Sequence, residues 1–133
     1  MRLNYIENPS LDPAAVAALR VAVGWDARQE RLEKIVGSTY LTVACFDDDQ
    51  LVGFVDVLSD GVDDALIRSL MVHSAYQGEG IALELLNIVT ERLKSARIKT
   101  INVLFEPDLA PLYRKAGFKI VSGGLIDTEK EGF

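Results

Sequence analysis

Two glycines at the mouth of a helix, in Gln77-Gly78-Glu79-Gly80-Ile81-Ala82, are the residues of this sequence whose spacing carries chemistry. An apolar run over residues 65–72 ends at Val72, a short loop follows, and an amphipathic helix begins directly after Gly80. A helix starts with backbone N–H groups that lack acceptors and with the positive end of its dipole. Glycine lets an anion approach those amides without meeting a Cβ. The segment therefore reads as a cradle for a phosphate or diphosphate. Taken alone it leaves an ordinary strand-to-helix turn as the alternative.

Few other side chains are placed for chemistry. Asp56 interrupts the apolar strand Val52-Gly53-Phe54-Val55-Asp56-Val57, either as a working carboxylate or as the solvent-facing residue of an alternating strand. Cys45 lies in an apolar strand pattern with nothing beside it to activate a thiol, and reads as a small core residue. His73, the one histidine, directly follows a strand and reads as a loop residue. Asp47-Asp48-Asp49 lacks the spacing and closing Glu of an EF-hand, so a solvated turn is expected and no metal.

These residues need a scaffold, and the pattern supplies one. With 133 residues, 49% hydrophobic and 26% charged, the chain is expected to form a single domain over residues 1–133 with a core of its own. The absence of a membrane-length apolar stretch and of a signal-peptide pattern makes a cytoplasmic location the expectation, with no membrane partner. A net charge of −6 argues against nucleic acid as a partner and suits a cationic or amine substrate.

The elements expected are a strand over 3–7 and a helix capped by Asp12-Pro13 and closed at Gly24. A second helix follows over 26–36, then strands over 39–46, 51–58 and 65–72, the first two joined as a hairpin. After the glycine loop, Leu83, Leu86, Val89, Thr90 and Leu93 mark one face of a helix ending near Arg97. A strand over 100–105, a short helix over 107–116, a strand over 118–121 and a charged, frayed tail over 127–133 complete the chain. Hairpins followed by a β-α-β crossover give an α+β domain, a three-layer sandwich with a mixed sheet and about four helices.

Gln77-Gly78-Glu79-Gly80-Ile81-Ala82 matches the pattern Gln/Arg-x-x-Gly-x-Gly/Ala, and Leu112-Tyr113-Arg114-Lys115-Ala116-Gly117-Phe118 matches Leu-Tyr-x-x-x-Gly-Phe. In this order, one helix and one strand apart, the two resemble the GNAT superfamily of acetyl-CoA-dependent N-acyltransferases, whose element order runs along almost the whole chain. The resemblance implies the acyl-CoA N-acyltransferase fold, with a sheet splayed between its fourth and fifth strands. It implies acetyl-CoA as co-substrate and direct acetyl transfer to a primary amine of a small molecule or peptide. Leu70, Met71 and Val72 would present backbone to the pantetheine arm and thioester, and the amides of Gly78, Glu79, Gly80, Ile81, Ala82 and Leu83, beside Gln77, would hold the diphosphate. Dimerisation, common in such folds, stays open.

Tyr113 matches the tyrosine that in many relatives protonates the departing thiolate, a task suited to a phenol of pKa near 10; packing beneath the cofactor is its alternative role. Asp56 is the best carboxylate for the amine proton, ahead of Glu106 and His73. Trp25, the one tryptophan, either walls the acceptor side or anchors the first two helices. Two positions depart from the family pattern. Glu79 stands where many relatives carry Lys or Arg, a repulsion of a few tenths to about 1 kcal/mol if solvated. Glu106 stands where many carry an Asn that steadies the CoA arm. An unsettled base keeps a second reading alive, a GNAT-like module that binds acyl-CoA for regulation without transfer.

Overall fold

The computed structural model describes residues 1–129. They fall into two compact units, Met1–Val103 and the segment that begins at Leu104.

The first unit is built on a five-stranded mixed sheet in the order β1 (Leu3–Glu7), β2 (Leu41–Asp47), β3 (Gln50–Ser59), β4 (Asp64–Val72), β5 (Thr100–Val103). The first three pairings are antiparallel, and β4 pairs β5 in parallel through the crossover helix α3 (Ile81–Ser95). Helices α1 (Pro13–Ala22) and α2 (Gln29–Ile35) cover one face of the sheet, where Val16, Ala17, Leu19 and Leu32 pack with Ala44, Leu51, Phe54 and Met71. On the other face α3 lies over Gly53, approaching it closely with Ile81 and Leu85. A sheet with helices on both sides is the three-layer arrangement expected, and the fold is α+β.

Local chemistry accounts for most element ends. Asp12 caps α1 by accepting from the Ala14 N–H at 2.9 Å, with Pro13 as the first helical residue. Helix α2 starts at Gln29, three residues later than expected from the pattern, because Arg28 takes a left-handed conformation at φ 51°. The apolar face of α3 is Ile81, Leu85, Leu86, Val89, Thr90 and Leu93; Leu83 is only half-buried, and Leu85 takes the inward position.

Two features of β4 matter for the site. Pairing with β5 stops at Ile67 opposite Val103, so the β5-facing edge beyond Ile67 has no strand partner in this unit. The ladder ends there because β5 itself ends at Val103. Toward β3, Met71 faces Phe54 and Arg68 faces Asp56, so Ser69 and Leu70 together oppose the single residue Val55. This is a bulge, and Ser69 sits in it at φ 57°. The extra residue shifts the side-chain alternation, so Arg68 and Met71, three positions apart, both reach the α1/α2 side.

The second unit holds a 3-10 turn, Pro107–Leu109, and α4 (Ala110–Lys115). The strand expected over 118–121 does not form among the described residues. Phe118 donates its N–H back to the Tyr113 carbonyl at 3.0 Å instead, and Ile120 and Val121 are exposed without a ladder partner. The frayed tail lies partly outside the described residues. Within them, the Glu129 N–H bonds the Asp127 side chain.

Candidate functional site

The glycine loop is assembled from the hairpin side. Tyr76 ends a single 3-10 turn, Ser74–Tyr76, and donates its hydroxyl to Asp47 at 2.5 Å, tying the loop to the end of β2. That bond and the Arg2 N–H hold the Asp47 carboxyl below its usual range. His73 caps the same turn, its Nδ1 accepting from the Ala75 N–H at 3.1 Å, and it does stand in a loop.

Beyond Tyr76 the chain passes Gly78 at φ 85° and Gly80 at φ 77°. A Cβ at either would meet nothing within 4 Å, so both face open space. The helical ladder begins with the Glu84 N–H bonded to the Gly80 carbonyl at 3.1 Å. Gln77 and Gly78 lie in turn structure after the 3-10 segment, and among the described residues no backbone acceptor is found for the N–H groups of Gly78, Gly80, Ile81, Ala82 and Leu83. Amides at the positive end of a 15-residue helix are suited to an anion. Glu79 is exposed and makes no ion pair among the described residues. Ile81 is buried against the sheet and fixes the helix mouth in place.

Leu70, Met71 and Val72 follow the bulge, beyond the end of the β5 ladder; Met71 is buried on the α1/α2 side, while Leu70 and Val72 are half-buried. Asp56 is 3% exposed, so it is no solvent-facing residue of an alternating strand. Arg68 grips it with two bonds, Nε to Oδ1 at 3.0 Å and Nη2 to Oδ2 at 3.4 Å. Burial pushes the Asp56 carboxyl up, and Arg68 pulls it back down without cancelling the shift. Asp56 lines two cavities. One, of about 260 Å³, holds Asn8, Thr39, Tyr40 and Thr42 beside it, with Leu11, Val36 and Phe54 as apolar wall. The other, of about 220 Å³, lies between the helix pair and the bulge and includes Arg20, Arg28, Arg31, Arg68 and Ser69. An acidic chain thus carries a strongly basic cavity, which its net charge did not foretell.

Trp25 is 41% exposed and anchors no core; Arg20 lies over its ring at 5.2 Å. Cys45 is a buried, unpaired thiol pushed up by its burial, as a core residue should be. In the second unit, Tyr113 is buried, stacked on Phe105 at 4.3 Å and edge-on to Phe118 at 5.7 Å. Burial raises its phenol above the ordinary value, so the hydroxyl keeps its proton well past neutrality. Glu106 is exposed at the start of the 3-10 turn.

Sequence reasoning missed the Asp56–Arg68 pair, the Tyr76–Asp47 tie and the arginine cavity. The first had a signal: Asp56 and Arg68 stand equally far from the turn that joins β3 to β4, so antiparallel pairing sets them opposite each other. The cavity had none, because it joins residues from four elements, α1, α2, β3 and β4.

The family model described as an acetyltransferase (GNAT) domain matches residues 8–129. The uncharacterized N-acetyltransferase ycf52 of Porphyra purpurea is 32% identical over 102 residues, covering 73% of this chain and 59% of its own length. A ycf52-like N-acetyltransferase of Prochlorococcus marinus is 28% identical over 120 residues, 86% of this chain and 67% of the relative. The chain therefore spans only about two thirds of these relatives or less. In fold, a GNAT-family acetyltransferase from Streptococcus pneumoniae matches with a TM-score of 0.78 over 96% of this chain and 99% of its own, at 22% identity.

Proposed function

The chain belongs to the acetyltransferase (GNAT) domain family, and from that premise we propose that it transfers the acetyl group of acetyl-CoA to a primary amine of a small molecule or peptide. One observation carries the reading: the N–H groups of Gly78 and of Gly80 to Leu83, without backbone acceptors among the described residues, at a helix mouth held open by two left-handed glycines. It suits the diphosphate of coenzyme A, and the Glu79 carboxylate, being exposed, need not oppose it. The partnerless edge of β4 at Leu70, Met71 and Val72 suits the pantetheine arm.

In the reaction proposed, a neutral amine attacks the thioester carbon and the carbon–sulfur bond breaks. Tyr113 gives its proton to the departing thiolate, and the raised phenol ensures that it holds that proton at neutral pH. The amine's proton passes to Asp56, directly or through water; burial lifts this carboxyl toward working pH. A backbone N–H of the bulged β4 stabilises the oxyanion. In this reading Trp25 borders the acceptor side, and no metal takes part.

A second reading is favoured by the two bonds from Arg68 that occupy both Asp56 oxygens. A carboxylate so held is a poor base, and the domain would then bind acyl-CoA for regulation without transfer. Thiol release from acetyl-CoA with a panel of amines separates the two. Transfer predicts amine-dependent release. Binding of CoA with no release for any amine supports the regulatory module.

A further inference from the structure

The cavity between the α1/α2 pair and the β4 bulge collects four arginines, Arg20, Arg28, Arg31 and Arg68, against one carboxylate, Asp56, in a chain of net charge −6. Like charges do not gather on a partly buried wall without cost. Asp56 neutralises Arg68 through its paired bonds, and neither Arg20 nor Arg28 has a carboxylate at ion-pair distance among the described residues. Arg20 gives its Nε to the Asp26 carbonyl at 2.6 Å and lies over Trp25, so its guanidinium is fixed in position. Burial and the neighbouring Arg28 pull it below its ordinary value, a mark of cations held together. Arg28 holds a left-handed backbone at φ 51°, a conformation that favours Gly or Asn over a long side chain. No carboxylate stands within ion-pair distance of it among the described residues.

We propose that this cavity binds an anionic group, a carboxylate or phosphate, carried by the acceptor amine, so that the substrate is a small amine with an acidic end. The inference rests on the transferase reading above and adds the acceptor's chemical class. Guanidinium groups match carboxylate and phosphate oxygens with paired, charge-assisted bonds. A volume of about 220 Å³ suits the end of a small molecule. Ser69 and Asp56 line the same cavity, so the acidic end would be held beside the bulge where transfer is proposed. The acidity of the whole chain, which suggested a cationic acceptor, is thus misleading at the site.

The test is a comparison of matched acceptors in acetyl-CoA thiol release with the full chain: γ-aminobutyrate against its carboxamide, and phosphoethanolamine against ethanolamine. The anionic member of at least one pair should have a kcat/KM about tenfold or more higher, and the pair that responds distinguishes carboxylate from phosphate. Arg28→Asn keeps the left-handed backbone and leaves no charge stranded; it should abolish that preference while sparing the KM for acetyl-CoA, and Arg28→Lys should keep part of it. Equal or better turnover of the uncharged members in both pairs overturns the proposal. So does a preference that survives Arg28→Asn. If no amine is acetylated, the transferase reading fails separately, and fluorescence of the single Trp25 decides this one. Succinate or inorganic phosphate should give a saturable change that Arg28→Asn removes. No saturable change with either anion overturns it.

Discussion

Asp56 and Arg68 form a pair whose stability consequences run opposite to those of a surface ion pair. Burial raises the Asp56 carboxyl above its ordinary value, so the native state binds its proton more readily than the unfolded chain does. Its contribution is then full below the unfolded pKa and is lost as pH rises through the native one. Arg68→Gln removes the group that holds this rise in check and should destabilise by about 1–3 kcal/mol at neutral pH. The loss should shrink in mild acid, where Asp56 takes up a proton. Urea unfolding at the two pH values checks this, and equal losses would contradict it. Tyr113→Phe keeps the stacking on Phe105 and Phe118 and removes only the hydroxyl. It should lower kcat about 100-fold or more with the KM for acetyl-CoA unchanged and the unfolding midpoint little moved. At this scale the sequence shows an unusual residue more readily than its partner. Asp56 stands out in an apolar strand, whereas Arg68 acquires meaning only when the register sets it opposite.

The elements were readable where a local cause fixes them. Asp12-Pro13 starts α1 by side-chain capping, and the β3–β4 connection folds over residues that bond their own backbone, Asp60 accepting from Val62 and Asp63 at 2.8 Å each. The expected strand over 118–121 had no such cause, since a strand exists only through a neighbour. The bulge at Ser69 was equally hidden, for nothing in Arg-Ser-Leu-Met announces an extra residue. Where α3 crosses the sheet, Gly53 permits close approach: a Cβ there would lie 2.9 Å from Ile81 Cγ2 and 3.1 Å from both Cys45 Cβ and Leu85 Cδ1. These neighbours are buried and cannot swing aside. Gly53→Ala should therefore cost about 1–3 kcal/mol in chemical denaturation and, by displacing Ile81, weaken CoA binding as well. An alanine variant as stable as the parent would show that the contact yields.

Across the whole molecule, fold class and family pattern were both visible in the sequence, because hairpins, crossover helix and glycine loop follow one another in chain order. Charge was not. A net value of −6 averages over a surface and conceals a basic cavity drawn from α1, α2, β3 and β4. Site chemistry depends on local sign, and only the fold supplies it. The account as a whole turns on main-chain amides, and Gly80→Ala probes them without a clash, since a Cβ there meets nothing while φ 77° disfavours it. The variant should lose about 1 kcal/mol of stability and bind CoA more weakly. The most direct measurement is calorimetry of CoA beside pantetheine, which lacks the diphosphate. CoA should bind at least about 100-fold more tightly than pantetheine, and Gly80→Ala should narrow that gap. Equal affinities for the two compounds, unchanged in the variant, would contradict the account.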